Sequence, residues 1–301
     1  MPKVSINGVD VAFTEHGDPK GPTLLMIQGL GLSSAAWPPS LITALTVSGF
    51  HIITFDNRDS GLSQKMPTSD MPNFLLQYLR SRLGLRVTAP YQMTDMMRDV
   101  VGLLDNLKVN HAHVIGMSMG GIIAQLLAIH EPRCVKSLVS IMSTTGRRRL
   151  PGPTWAVGKH MLSRPRNATK EAGVEYLRIL WRLLGSPRYP VSNDELDGYS
   201  NRLIDRGMTA EGMVRQRLAV MAAPSRVADL AKLDVPSLII HGDADPLIPV
   251  ECGMDTANSI PGARMEIFYG MGHDLPEMLV PAISSLIIDH VLDADSHCKN
   301  K

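Results

Sequence analysis

Long apolar runs, cysteines and net charge are all scarce in this chain of 301 residues. No uninterrupted apolar stretch is long enough to cross a bilayer, so no membrane span is expected. The formal net charge is +1, and no overall field favours nucleic acid or an anionic surface as partner. Its one basic cluster, Arg147-Arg148-Arg149, reads as a solvated loop. The three cysteines, Cys134, Cys252 and Cys298, are far apart and lack CxxC or metal-type spacing. Reduced thiols and no bound metal are therefore expected. The opening MPKVSINGVDVAF has no apolar h-region and no cleavage signature, which makes the cytoplasm the expected compartment. Internal repeats and low-complexity tracts are missing as well.

What remains is ordinary globular material, 44% hydrophobic and 20% charged, long enough for one large α/β domain or two modest ones. The segment VSINGVDVAFTEHG alternates around Asn7-Gly8, a hairpin signal at a sheet edge. Short apolar runs follow at 23–29, 51–56, 112–117, 135–143, 236–243 and 264–270. Several are nearly continuous, as strands covered on both faces require. Helical periodicity lies between them, at 94–108 with Thr94 as N-cap, at 119–131 until Pro132, and near the end through Ile283, Leu286, Ile287 and Val291. Such alternation predicts a mostly parallel central sheet with helices on both faces. It breaks between about 146 and 230, where EAGVEYLRILWRLLG and AEGMVRQRLAVMAA read as amphipathic helices. The chain thus divides into a first core part (1–145), a helical insertion after one strand (146–230) and a second core part (231–301).

One segment, HVIGMSMGGIIAQLLAIH, would be pure core were it not broken by Gly116, Gly120 and Gly121 around Ser118. A strand ending at Met117 and a helix starting at Met119 leave a one-residue turn at Ser118. Side chains two residues either side would collide, and glycine removes the collision. The turn lifts a hydroxyl to the carboxyl edge of the sheet, where open α/β sheets bind ligands. It also aims the Met119 amide at any negative charge that develops beside Ser118.

A serine hydroxyl needs a base, and the base needs a carboxylate to hold its tautomer. In this kind of fold they follow in the order Ser, acid, His. Of ten histidines, His273 alone lies on a Gly-rich loop, YGMGHDLPE, between the last strand and the last helix. His241 heads a strand end and reads as a core histidine. For the acid, IIHGDADPLIP offers Asp243 and Asp245. Pro246 biases Asp245 to an extended conformation reaching the next loop, so Asp245 is preferred. Asp243 is expected to cap a turn or a neighbouring amide. A second oxyanion donor should come from MIQGLGLSSAAW, with Leu30 N–H the first choice and Gly31 N–H the fallback.

These segments together resemble the α/β-hydrolase fold family, over about 1–145 and 231–295. GMSMGG matches its nucleophile elbow, IIHGDADPLIP its acid loop and GMGH its histidine loop. FDNRDSGLS looks like the family's structural turn, which makes Asp56, Arg58 and Asp59 architectural. The wording is similar to that of carboxylic ester hydrolases of the aclacinomycin methylesterase type. That subgroup implies a serine esterase with a helical lid over 146–230. Gln28 departs from the family, which often has His before the oxyanion glycine.

The expected chemistry is two-step acyl transfer on a small-molecule ester, a carboxylesterase reaction without cofactor. Ser118 would be the nucleophile, His273 the base and Asp245 its orienter, with Leu30 and Met119 amides as oxyanion hole. Lactones, a C–C bond beside a ketone or perhydrolysis are alternatives for the same triad. A non-catalytic ligand-binding module is the alternative from another class. Trp37, Met117, Trp155 and Trp181, with Leu180 and Met213, are candidate pocket residues, and packing explains them as readily.

Overall fold

A computed structural model describes residues 1–298 except 68, 70, 164 and 168, without the side chains of 297 and 298. Cys298 and His297 therefore have no described side-chain surroundings. The sheet has eight strands: β1 (Lys3–Ile6), β2 (Val9–His16), β3 (Thr23–Ile27), β4 (His51–Phe55), β5 (Ala112–Met117), β6 (Val135–Ile141), β7 (Ser237–Gly242) and β8 (Arg264–Phe268). Their spatial order is β1-β2-β4-β3-β5-β6-β7-β8. Among the described residues, only β1 with β2, and β2 with β4, run antiparallel. Asn7 and Gly8, both at positive φ, make the tight turn of the first hairpin.

The central strands are apolar on both faces because both faces are covered. Leu25 and Ile27 of β3 join one apolar cluster, while Leu24 and Met26 join the other. The first cluster is closed by α3 (Met93–Asn106) and α4 (Met119–His130). The second is closed by α1 (Pro39–Val47), through Leu41 and Leu45, and by the last helix (Val280–Cys298), through Ile283, Ile287 and Val291. The start of α3 differs from expectation. Gln92 is the N-cap, in a capping box with Asp95, and Thr94 sits inside the first turn.

Between β4 and α3 lies α2 (Phe74–Arg82), which packs on a later helix. Between β6 and β7 the chain forms α5 (Trp155–Leu162), α6 (Lys170–Leu184), α7 (Asn193–Asp205), α8 (Ala210–Ala222) and the short α9 (Val227–Leu230). Helices α6 and α8 fall on the two amphipathic stretches read from the sequence. Helix α10 (Val250–Ser259) follows β7, and the last helix is α11. Among the described residues, no helix is long and apolar enough to cross a membrane.

Candidate active site

Ser118 sits between β5 and α4 at φ 56° and ψ −117°, a strained conformation for a residue with a side chain. Two glycines make it possible, for different reasons. A Cβ on Gly116 would stand 2.2 Å from the Gly120 carbonyl oxygen, the collision anticipated within the turn. A Cβ on Gly120 would instead strike the Ile27 carbonyl oxygen of β3 at 2.0 Å. That glycine admits the neighbouring strand, not the other half of the turn. Ser143 reinforces the bend, its hydroxyl donating to the Ser118 carbonyl at 2.8 Å.

His273 Nε2 lies 3.0 Å from Ser118 Oγ, and His273 Nδ1 lies 2.6 Å from Asp245 Oδ2. All three residues are buried, Asp245 at 5% exposure and His273 at 7%. An ionised carboxylate only accepts, so Nδ1 carries the proton and Nε2 is the acceptor facing the hydroxyl. The other Asp245 oxygen accepts from the amides of Leu247 and Ile248 at 2.8 and 2.9 Å. Burial alone would raise this carboxyl. Attraction to His273, with hydrogen bonds from His241, His273 and the Ile248 amide, holds it well below the usual carboxylate range. Asp245 is thus a fixed anion behind the imidazole.

The competing residues have other partners. Asp243 accepts from the Gly270 amide at 2.6 Å, tying the acid loop to the histidine loop. His241 donates from Nε2 to the Ile248 carbonyl at 2.7 Å and lies 3.5 Å from Asp245 Oδ2, so it braces the acid from behind. Its spacing of four residues from Asp245 was the available signal for that contact. Cys134 closes the short turn Pro132–Cys134 just before β6, at the opposite end of the sheet from Ser118.

The loop after β3 lies directly over the serine. A Cβ on Gly29 would be 3.3 Å from Ser118 Cβ and 3.8 Å from its Oγ. Three successive amides could face this space, and two are engaged. Gly29 N–H donates to Gln28 Oε1 at 3.0 Å and Gly31 N–H to Gln216 Oε1 at 2.6 Å. Leu30 N–H stands between them. The Met119 amide is among the first of α4, which have no intrahelical acceptor. Gln28, set where a histidine was noted as usual, is buried and folds back on its own loop.

Residues from 146–230 grip this site. His273 N–H donates to the Leu184 carbonyl at the end of α6, at 2.8 Å. Ser186 just beyond donates its hydroxyl to Asp274 Oδ1 and accepts from the Gly272 amide at 2.8 Å. On α8, Arg215 pairs with Asp59 through two hydrogen bonds of 2.7 and 2.9 Å. Asp59 also accepts from Tyr91 Oη at 2.8 Å. Arg58 is held by Asp99 and Asp56 by the Ser34 and Leu62 amides, which makes the 55–63 turn architectural. None of Ser186, Arg215, Gln216 or Asp274 was singled out from the sequence.

Trp155, Trp37 and Met117 correct the pocket expectation. Trp155 is 83% exposed at the start of α5. Trp37 and Met117 are buried in the cluster under α1 and α11, so they pack the core. Trp181 makes an edge contact with Tyr199 of α7 within the helical segment. Met213 does reach the site: a Cβ on Gly31 would meet its Cγ at 2.7 Å. Leu180 is half-buried on α6. Among the described residues, no cluster of His, Cys, Asp and Glu could hold a metal ion.

Comparison with known proteins adds a second line. The family model described as the alpha/beta hydrolase fold matches residues 22–277. Rhodomycin D methylesterase DnrP of Streptomyces peucetius is 27% identical, over 96% of this chain and 98% of that protein. The meta-cleavage product hydrolase CumD of Pseudomonas fluorescens IP01 superposes with a TM-score of 0.75 at 19% identity, covering 98% of each chain. The enol-lactonase of Burkholderia xenovorans LB400 gives 0.74 at 20% identity, over 97% of this chain and all of that one.

Proposed function

This chain belongs to the α/β hydrolase fold family, and from that premise we propose that it is a serine carboxylic ester hydrolase working through Ser118, His273 and Asp245. The observation that carries the reading is the unbroken chain of hydrogen bonds from Ser118 Oγ through the imidazole to Asp245. His273 Nε2 takes the hydroxyl proton as Oγ attacks the ester carbonyl. Asp245 stabilises the imidazolium and keeps the ring in its tautomer. The Leu30 and Met119 amides receive the oxyanion, each worth about 3 kcal/mol of barrier by analogy with single donors elsewhere. His273 then protonates the leaving alcohol. Water, activated by the same nitrogen, releases the acid from the acyl-enzyme.

Residues 146–230 act as a lid over the carboxyl edge and select the substrate. The methylesterase relative favours a small-molecule ester, a methyl ester among the candidates. The same triad can open a lactone or break a C–C bond beside a ketone, and the lid decides between them. Cysteine spacing keeps the cytoplasm as the proposed compartment. Steady-state rates on p-nitrophenyl acetate, aryl methyl esters and lactones test the assignment. Ester turnover that is lost in a folded Ser118→Ala supports it, and ester turnover retained in that variant refutes it.

A further inference from the structure

We propose that Gln216, on helix α8, is a positioning residue for the oxyanion loop, so that the loop holds its working shape only while α8 is docked on it. The inference rests on the serine hydrolase reading above and adds to it a residue that touches no reacting atom.

Gln216 is fully buried, and all three of its hydrogen bonds go to two loops of the sheet half. Its Oε1 accepts the Gly31 amide at 2.6 Å. Its Nε2 donates to the Arg58 carbonyl at 2.7 Å and to Ser60 Oγ at 2.9 Å. The amide group is therefore aimed from both ends and cannot turn without leaving a buried donor unpaired. Arg215, its neighbour, fixes the same stretch of α8 to Asp59, and Asp59 is 1% exposed. Gly31 has φ +74°, a conformation open to glycine, and Met213 of α8 lies against it where a side chain would be. Other bonds hold the start of the loop, Asn57 Nδ2 to the Gln28 carbonyl at 3.1 Å and Gly29 N–H to Gln28, while beyond Gly29 its local turn is Leu32 N–H to the Gly29 carbonyl at 3.2 Å.

The consequence for chemistry is geometric. Anchoring the Leu30–Gly31 peptide on one side, with Gly29 N–H engaged by Gln28 on the other, leaves Leu30 N–H as the amide turned toward Ser118. It also withdraws Gly31 N–H from competition for the developing oxygen anion. An oxyanion donor acts only when aimed within a few tenths of an ångström of where that charge forms. Losing the anchor should therefore weaken transition-state binding and spare ground-state binding.

Gln216→Met keeps the volume and removes the hydrogen bonds. The expected result is kcat lower by about 10- to 100-fold on an ester substrate, somewhat less than deletion of a whole donor, with KM within about twofold. Affinity for phenylboronic acid, which forms a tetrahedral adduct on the serine, should fall by a similar factor. The pH profile of kcat/KM should keep its shape, since Gln216 does not touch the imidazole. A wild-type kcat and boronate affinity would overturn the inference. So would a raised KM with unchanged kcat, the signature of a side chain that only shapes the pocket. Should Gln216→Met fail to fold, Gln216→Asn, one methylene shorter, takes its place with the same two deciding outcomes. Failure of the underlying reading looks different: wild-type protein without ester turnover, whatever happens at position 216.

Discussion

The sheet and the helical segment between β6 and β7 contribute to the site in opposite ways. Every atom assigned to the reaction comes from a loop or a helix start at the carboxyl edge of the sheet. Three of those loops leave β3, β5 and β7, whose side chains are nearly all buried, so their ends are placed by packing, while the histidine loop leaves the largely exposed edge strand β8. The helical segment offers no such atom. It reaches the same loops through buried polar contacts: Leu184 carbonyl and Ser186 on the histidine loop, Arg215 and Gln216 on the 55–63 turn and the oxyanion loop. In the proposed reaction one half supplies the reacting groups, and the other holds their loops in register. A helical segment that grips both loops this way cannot swing far without disturbing them.

The largest effect that could break this division is expected on the sheet side. Asp245→Asn should lower kcat by roughly 10⁴-fold with the fold intact, because the wrong tautomer of His273 then faces Ser118. A loss under tenfold, with His241→Ala the crippling change instead, would mean that the base is not His273. On the helical side the expected loss is of stability. Arg215→Ala strands the buried Asp59 carboxylate and should cost about 3–5 kcal/mol, read from urea unfolding. A cost under 1 kcal/mol would show that the Arg215–Asp59 pair does not hold α8 on the sheet.

A third, smaller effect separates the halves by pH. His113 of β5 is buried beside Ser137, and desolvation outweighs nearby Asp295 to lower its pKa to about 4. The unfolded chain binds its proton near pH 6.5, so stability from this group is complete above that value. It is lost as pH falls toward 4, by up to about 3 kcal/mol. His113→Gln should flatten unfolding free energy between pH 6.5 and 4 without changing turnover at pH 7.5. An unchanged slope would move the acid sensitivity elsewhere, to His290 for instance, whose pKa burial also lowers. Smallest of all, Trp155→Ala should alter stability by less than about 0.5 kcal/mol, given its exposure. A larger change would give α5 a docking role that its open first turn does not suggest.

Legibility in the sequence follows the same division. Strands, elbow and the Ser–acid–His order were readable because each is a local pattern set beside a strand end. Leu30 ranks above Gly31 in the sequence on glycine placement alone, because the side chain that engages the Gly31 amide, Gln216, lies 185 residues away. Trp37 beside the oxyanion loop reads as a pocket candidate with packing as its other role, and its place in the core under α1 is a tertiary fact. Helices α5 and α7 went unread because their apolar stripes are thin. Yet α7 carried a signal in Ser192 and Glu195, a complete capping box. Ser186 and Asp274 form a pair only because α6 ends over the histidine loop, which no spacing along the chain reveals.

One hydroxyl, raised by the bend after β5, is the proposed nucleophile. Treating the protein with a fluorophosphonate and mapping the adduct by peptide mass spectrometry tests it most directly. A single adduct on Ser118, absent from Ser118→Ala and slowed in His273→Ala, is the result expected. An active esterase that labels at Ser143, or at no serine in 111–145, would contradict it.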